Sequence, residues 1–189
     1  MSTLLSSLLS LRWTAFADAD AEPLPALCYP LPCPPRVAAL GWRFQPAAGL
    51  VCLERWSARS LEDARPEALA ASPEDLRLVA ALRQRGVLRL PRLAYPLVAL
   101  LDASDSPLSE PELEHLWTAF GLPIRQQVRD RQGRLLAYDC EAAEGFHLAH
   151  PGYPLAGLWT DEHRCGCGDP APLLRPVPAG LAREATAIL

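Results

Sequence analysis

The feature that most constrains this chain is a repeated alternation of capped helical segments and short apolar runs. Ser72-Pro73-Glu74-Asp75 reads as a helix start. The serine offers an N-cap acceptor, the proline has no amide to lose at the first position, and the acids face the positive helix end. Leu76, Val79, Ala80 and Leu82 then share one face, and Gly86 closes the helix. Ser109-Glu110-Pro111-Glu112 forms a second capping box, whose helix turns Leu113, Leu116, Trp117 and Phe120 inward and stops at Gly121. Residues 50–56 and 97–102 read as strands. Residues 122–129 and 134–140 form two more, joined through Asp130-Arg131-Gln132-Gly133 as a hairpin. Helical and strand periods that alternate in this way predict an α/β domain, with α+β as the alternative arrangement.

The 189 residues suffice for one ordinary domain, which we place at 37–175. Before it, residues 1–36 hold an amphipathic helix over 3–13, with Leu4, Leu5, Leu8, Leu9 and Leu11 on one face, and a proline-rich connector over 22–35. This N-terminal segment is the expected docking element for a protein partner or a second copy of the chain. Cys28 and Cys33 lie in the connector and are expected to pack there as small apolar side chains. Residues 176–189 form a tail.

All 18 positive residues are arginine, and neither lysine nor asparagine occurs. A Schiff base, a P-loop lysine and a lysine phosphate clamp are therefore excluded. With a net charge of −4 and its arginines scattered, the chain lacks the field that draws proteins onto nucleic acid. Its apolar runs are too short or too broken for a membrane span, and no secretory signal is visible. A cytoplasmic location is the resulting expectation, and in a reducing compartment six cysteines serve as ligands or core residues more often than as disulfides.

The strongest chemical signal is Cys165-Gly166-Cys167-Gly168, in which the glycines permit a backbone tight enough to turn both sulfurs to one point. Upstream, Cys140 and His147 bracket Gly145 at a strand end and turn. Cys140, His147, Cys165 and Cys167 together make a closed Cys3His set suited to structural zinc, with His150 and His163 as spare ligands. Arg134 or Arg164 is expected to offset its negative charge. Two free buried thiols, or a redox dithiol of Cys165 and Cys167, are the other uses such residues have.

Weaker candidates read as ordinary structure. Asp102, Asp105 and Glu110 follow a strand, where α/β folds place ligands, but they also suit a polar loop with helix caps. Ser104 and Ser106 lack the Gly-x-Ser-x-Gly elbow of a serine hydrolase. Glu141 and Glu144 fit a solvated turn, and Arg125, Arg129, Arg131 and Arg134 are expected to face water around the hairpin.

Several of these segments recur in order in one family. Pro107-Leu108-Ser109-Glu110, Leu116-Trp117, Ala119-Phe120-Gly121 and Leu122-Pro123 resemble the phenylacetate–CoA ligase and acyl-protein synthetase branch of the adenylate-forming enzymes. Asp139-Cys140-Glu141-Ala142 with Gly145-Phe146-His147-Leu148 is similar to that family's Glu-Cys…Gly-Leu-His segment, and Cys165-Gly166-Cys167-Gly168 to its Cys-x-Cys-Gly segment. The resemblance spans roughly residues 65–175 and implies part of an adenylate-forming core with bound zinc. It also implies a ribose-binding role for Asp161, from Thr160-Asp161. The departures are functional: the Ser/Thr/Gly-rich phosphate loop has no counterpart, Arg125-Gln126-Gln127-Val128-Arg129-Asp130 replaces the segment with the magnesium-site glutamate, and there is no lysine for catalysis. The resemblance thus implies a non-catalytic zinc-binding protein that acts by interaction. The alternatives are one component of a multi-chain acyl- or nucleotide-binding ligase, and a thiol redox protein.

Overall fold

A computed structural model describes residues 23–31, 33–140, 142, 144–150, 155, 158–161 and 165–177. The segment at 3–13, His163, Arg164 and Glu141, and most of the tail at 176–189, lie outside the described residues. The chain has the mixed α/β class expected. In order, its elements are β1 (Val37–Leu40), β2 (Leu50–Leu53), α1 (Ala58–Ala64), β3 (Ala68–Ala71), α2 (Pro73–Gln84), β4 (Leu97–Asp102), α3 (Glu110–Phe120), β5 (Ile124–Arg129), β6 (Leu135–Asp139), β7 (Phe146–Leu148), β8 (Leu158–Asp161) and β9 (Leu173–Pro176).

The strands form one sheet in the order β2-β1-β3-β4-β5-β6-β7-β9-β8. From β2 to β5 every pairing is parallel, and from β5 to β8 every pairing is antiparallel. Within the parallel part, β1, β3 and β4 are buried on both faces, as their uninterrupted apolar sequences require.

Both sequence-predicted helices form where their caps place them. The Ser72 hydroxyl accepts from the Asp75 amide at 3.1 Å, and the Glu112 carboxylate reaches back to the Ser109 amide at 2.9 Å. Gly86 and Gly121 end the two helices with φ of 70° and 68°. The hairpin turn also forms: Asp130 Oδ1 accepts from the amides of Gln132 and Arg134, at 3.0 and 2.9 Å.

The sheet's two faces are covered differently. On one, Leu61, Leu76, Val79 and Leu116 of the helices meet Leu40, Leu69, Leu97, Leu101 and Val128. Each of these helix side chains is fully buried, a contribution of about 1.5–3 kcal/mol apiece. On the other face, Val37, Ala39, Ala68, Ala70, Val98 and Leu100 are covered by Phe44 and by Leu27 and Tyr29 of the connector. The connector docks through those two residues, whereas Cys28 and Cys33 are exposed, contrary to the expectation that they pack inward. Among the described residues no helix is long and apolar enough to cross a membrane.

Candidate metal centre

Period-two alternation places Tyr138, His147 and Leu173 on the connector side of the sheet, because Tyr138 pairs with His147 across β6–β7 and His147 with Leu173 across β7–β9. Cys140, two residues beyond Tyr138, faces the same way. Its amide donates to the Gly145 carbonyl at 2.8 Å, which closes the turn between β6 and β7. Gly145 is required by space: a Cβ there would lie 2.2 Å from the Leu174 carbonyl oxygen of β9. The 165–168 knuckle then returns to this spot just before β9, its exit turned by Gly168 at φ 83°.

The result is that one ligating atom from each of Cys140, His147, Cys165 and Cys167 lies within 4.8 Å of all the others. All four residues singled out from the sequence are thus brought together in a group that can hold a metal ion. Cys140, His147 and Cys165 are buried, and Cys167 is exposed. The Sγ atoms of Cys140 and Cys165 are 2.9 Å apart, and Cys167 Sγ lies 3.2 Å from His147 Nε2.

The surroundings prepare these atoms for ligation. His147 Nδ1 lies 3.2 Å from the Ala171 carbonyl, which fixes Nδ1 as the N–H and turns the Nε2 lone pair to the sulfurs. Amides of Ala142 and Asp169 donate to the sulfurs of Cys140 and Cys167, at 3.3 and 3.4 Å. The Asp169 amide, foremost, brings the Cys167 thiol down to about 7. The hydrogen bond with Cys140 pushes Cys165 up to about 12. The exposed Cys167 sulfur therefore ionises before that of Cys165.

Tyr138 and Asp169, which the sequence did not single out, complete the support, together with Glu144 and Arg125. The Tyr138 hydroxyl donates to Asp169 Oδ2 at 2.5 Å, the Ala171 amide donates to Asp169 Oδ1 at 2.9 Å, and the Tyr138 ring lies against the imidazole with centroids 5.6 Å apart. That Tyr138 bond and the Ala171 amide hold Asp169 below the usual carboxylate range. Glu144 accepts from the Gly166 amide at 3.3 Å and so joins the two ligand-bearing segments. Arg125 reaches the Cys140 carbonyl at 3.3 Å, while Arg134, expected to offset charge here, pairs with Asp130 at 2.6 Å. The signal that could have found Asp169 is its position two residues past Cys167. Tyr138 shares the face of Cys140.

Other marked residues fall elsewhere. His150 is exposed and not part of the group. Asp161 is buried on β8, its carboxylate engaged by the Arg175 guanidinium. Asp102 and Asp105 serve their own loop, Asp102 accepting from the Ser104 amide and hydroxyl and Asp105 from the Asp102 amide. Arg129 does not face water. It is fully buried, hydrogen-bonded to the Gly133 carbonyl at 2.6 Å, to Gln127 Oε1 at 2.7 Å and to the Ala26 carbonyl at 3.2 Å, with its guanidinium over the Phe44 ring. Burial lowers its pKa to about 10. The Ala26 carbonyl of the connector, with Gly133 and Gln127 of the hairpin, replaces much of the water this cation loses, while its Nε has no hydrogen-bond partner among the described residues.

A cavity of about 500 Å³ opens beside the group, lined by Pro30 of the connector and by Tyr138, His147, Cys167, Asp169 and Pro170. No protein-family model matches the chain, and a search of curated proteins finds no match to its sequence.

Proposed function

We propose that Cys140, His147, Cys165 and Cys167 hold a structural Zn²⁺ that staples the antiparallel end of the sheet in a non-catalytic, partner-binding protein. The observation that carries this reading is the convergence of four ligating atoms within 4.8 Å. A tetrahedral ion about 2.3 Å from each sulfur needs sulfurs roughly 3.8 Å apart, so Cys140 and Cys165, whose sulfurs are 2.9 Å apart, would move apart slightly to hold it. Four protein ligands leave no position for a substrate or water, which makes the centre structural. Three thiolates and a neutral imidazole around Zn²⁺ leave about one negative charge, next to the Arg125 contact with Cys140. The ion would cross-link three segments, the turn after β6, strand β7 and the 165–168 knuckle, of which the last has little core of its own.

The motif order further supports kinship with the phenylacetate–CoA ligase and acyl-protein synthetase branch of adenylate-forming enzymes, with the catalytic parts lost. Adenylation needs positioned phosphate contacts and cations against developing charge, and these residues contain no lysine and no phosphate-loop sequence. The expected action is therefore binding, in the cytoplasm, with the leucine-patterned N-terminal segment as the partner-facing element.

The test is elemental analysis of freshly purified protein together with pyrophosphate release from ATP. One zinc per chain and no release with any carboxylic acid is the expected result. Pyrophosphate release would overturn the non-catalytic reading, and absence of zinc with a reversible thiol count would replace the staple by a redox pair. The Cys140 and Cys165 sulfurs, 2.9 Å apart, are also placed for that role, beside the Cys165 and Cys167 pair.

A further inference from the structure

We propose that the chain has a second site, a cleft between the end of α1 and the segment leading into β4, that binds a phosphate monoester carrying an apolar body. The cleft holds about 370 Å³, within the range of small-ligand sites and larger than a bare phosphate needs. Its floor includes the buried Pro66 and Leu90, and its rim carries Arg65, Arg89 and Arg92. It lies at the amino ends of β3 and β4, in the parallel half of the sheet, so it owes nothing to the metal centre.

The charge of this cleft is unbalanced by design of the backbone. Among the described residues, none of the three guanidinium groups has an ion pair or a side-chain hydrogen bond. The one carboxylate present, Glu62, accepts from the Arg89 amide at 2.7 Å, and its carbonyl accepts from the Arg65 amide at 3.0 Å. Glu62 thereby ties the two walls together through main-chain donors rather than neutralising the side chains. Three guanidiniums against one carboxylate leave about two positive charges, which matches a phosphate monoester dianion. A single carboxylate ligand would need only one guanidinium fork.

Arg65 adds an independent mark. It has φ 47° and ψ 54°, and it is the only non-glycine with positive φ among the described residues. It ends α1 where glycine would adopt the left-handed conformation freely. An arginine at such a position adopts it at a conformational cost, and residues strained in this way cluster at ligand-binding sites. The apolar floor in turn selects a ligand with hydrocarbon next to its phosphate.

The test is calorimetric titration of the full chain with phenyl phosphate at low ionic strength. Saturable one-to-one binding is expected, weakening as salt is raised because the guanidiniums are exposed. Arg89→Ala and Arg92→Ala should each weaken it by about fivefold or more, the scale of one charge-assisted hydrogen bond. Arg65→Gly should do the same while raising the melting temperature, since it relieves the left-handed strain. Arg59→Ala, an exposed α1 arginine outside the cleft, should leave binding unchanged, and zinc content should be the same in every variant. Inorganic phosphate and benzoate should bind more weakly than phenyl phosphate. Absence of saturable binding, equal weakening by Arg59→Ala, or benzoate or inorganic phosphate binding as tightly would overturn the proposal.

Discussion

His147 is held from behind. The Ala171 carbonyl fixes its tautomer, Tyr138 lies against its ring, and Asp169 connects the two through the Tyr138 hydroxyl and the Ala171 amide. If this arrangement serves a metal, Tyr138→Phe should reduce zinc affinity by about tenfold with the fold retained, as loss of a supporting hydrogen bond typically does. Cys165→Ser, which removes a buried ligand, should reduce it by more than about 100-fold; competition with a chelating dye measures both. The four residues of the group were legible in the sequence because glycines beside them mark tight turns and because Cys and His side chains have few other uses at that density. Arg129 was not legible. Its partners, the Ala26 and Gly133 carbonyls and the Phe44 ring, come mostly from distant stretches of chain, and no local pattern distinguishes it from its water-facing neighbours.

Among the elements, the β6–β7 turn and α3 make the sharpest expectations. Gly145→Ala would press a methyl group into the β9 carbonyl 2.2 Å away, and backbone cannot yield as a side chain can. The strands must separate, at a cost of about 3 kcal/mol or more, measured by denaturant unfolding. At α3, the Ser109 amide and hydroxyl, foremost, hold the Glu112 carboxyl below its ordinary 4.5. A depressed acid contributes stability above its unfolded pKa and loses it as pH falls through the folded one. Glu112→Gln should therefore cost about 0.5 kcal/mol at pH 7, the scale of an exposed cap and ion pair, with the difference closing below pH 4.5. Melting curves of both proteins across that range check the sign. The capped helices and the long strands were readable because serine, proline and glycine punctuate them. Strands β1 and β3 (Val37–Leu40 and Ala68–Ala71) and helix α1 were not. At four to seven residues they are shorter than a period needs, and alanine-rich β3 has no strand-favouring composition.

Across the whole molecule, one sheet is sustained by two different means. The parallel half is buried between helices and connector, while the antiparallel end is built from short strands of three to five residues beyond β5, with the Cys/His group beside them. If that group holds the proposed zinc, removing the ion should loosen this end first. Chelation is expected to increase amide exchange across β7, β8 and β9 while β1, β3 and β4 stay protected, and uniform exchange across the sheet would speak against a staple. The central claim is that four side chains from separate stretches share a single zinc ion. X-ray absorption at the zinc edge reads that shell directly. The account predicts three sulfurs at about 2.3 Å and one nitrogen at about 2.0 Å. A shell of oxygen and nitrogen alone, or a protein that retains no zinc, would contradict it.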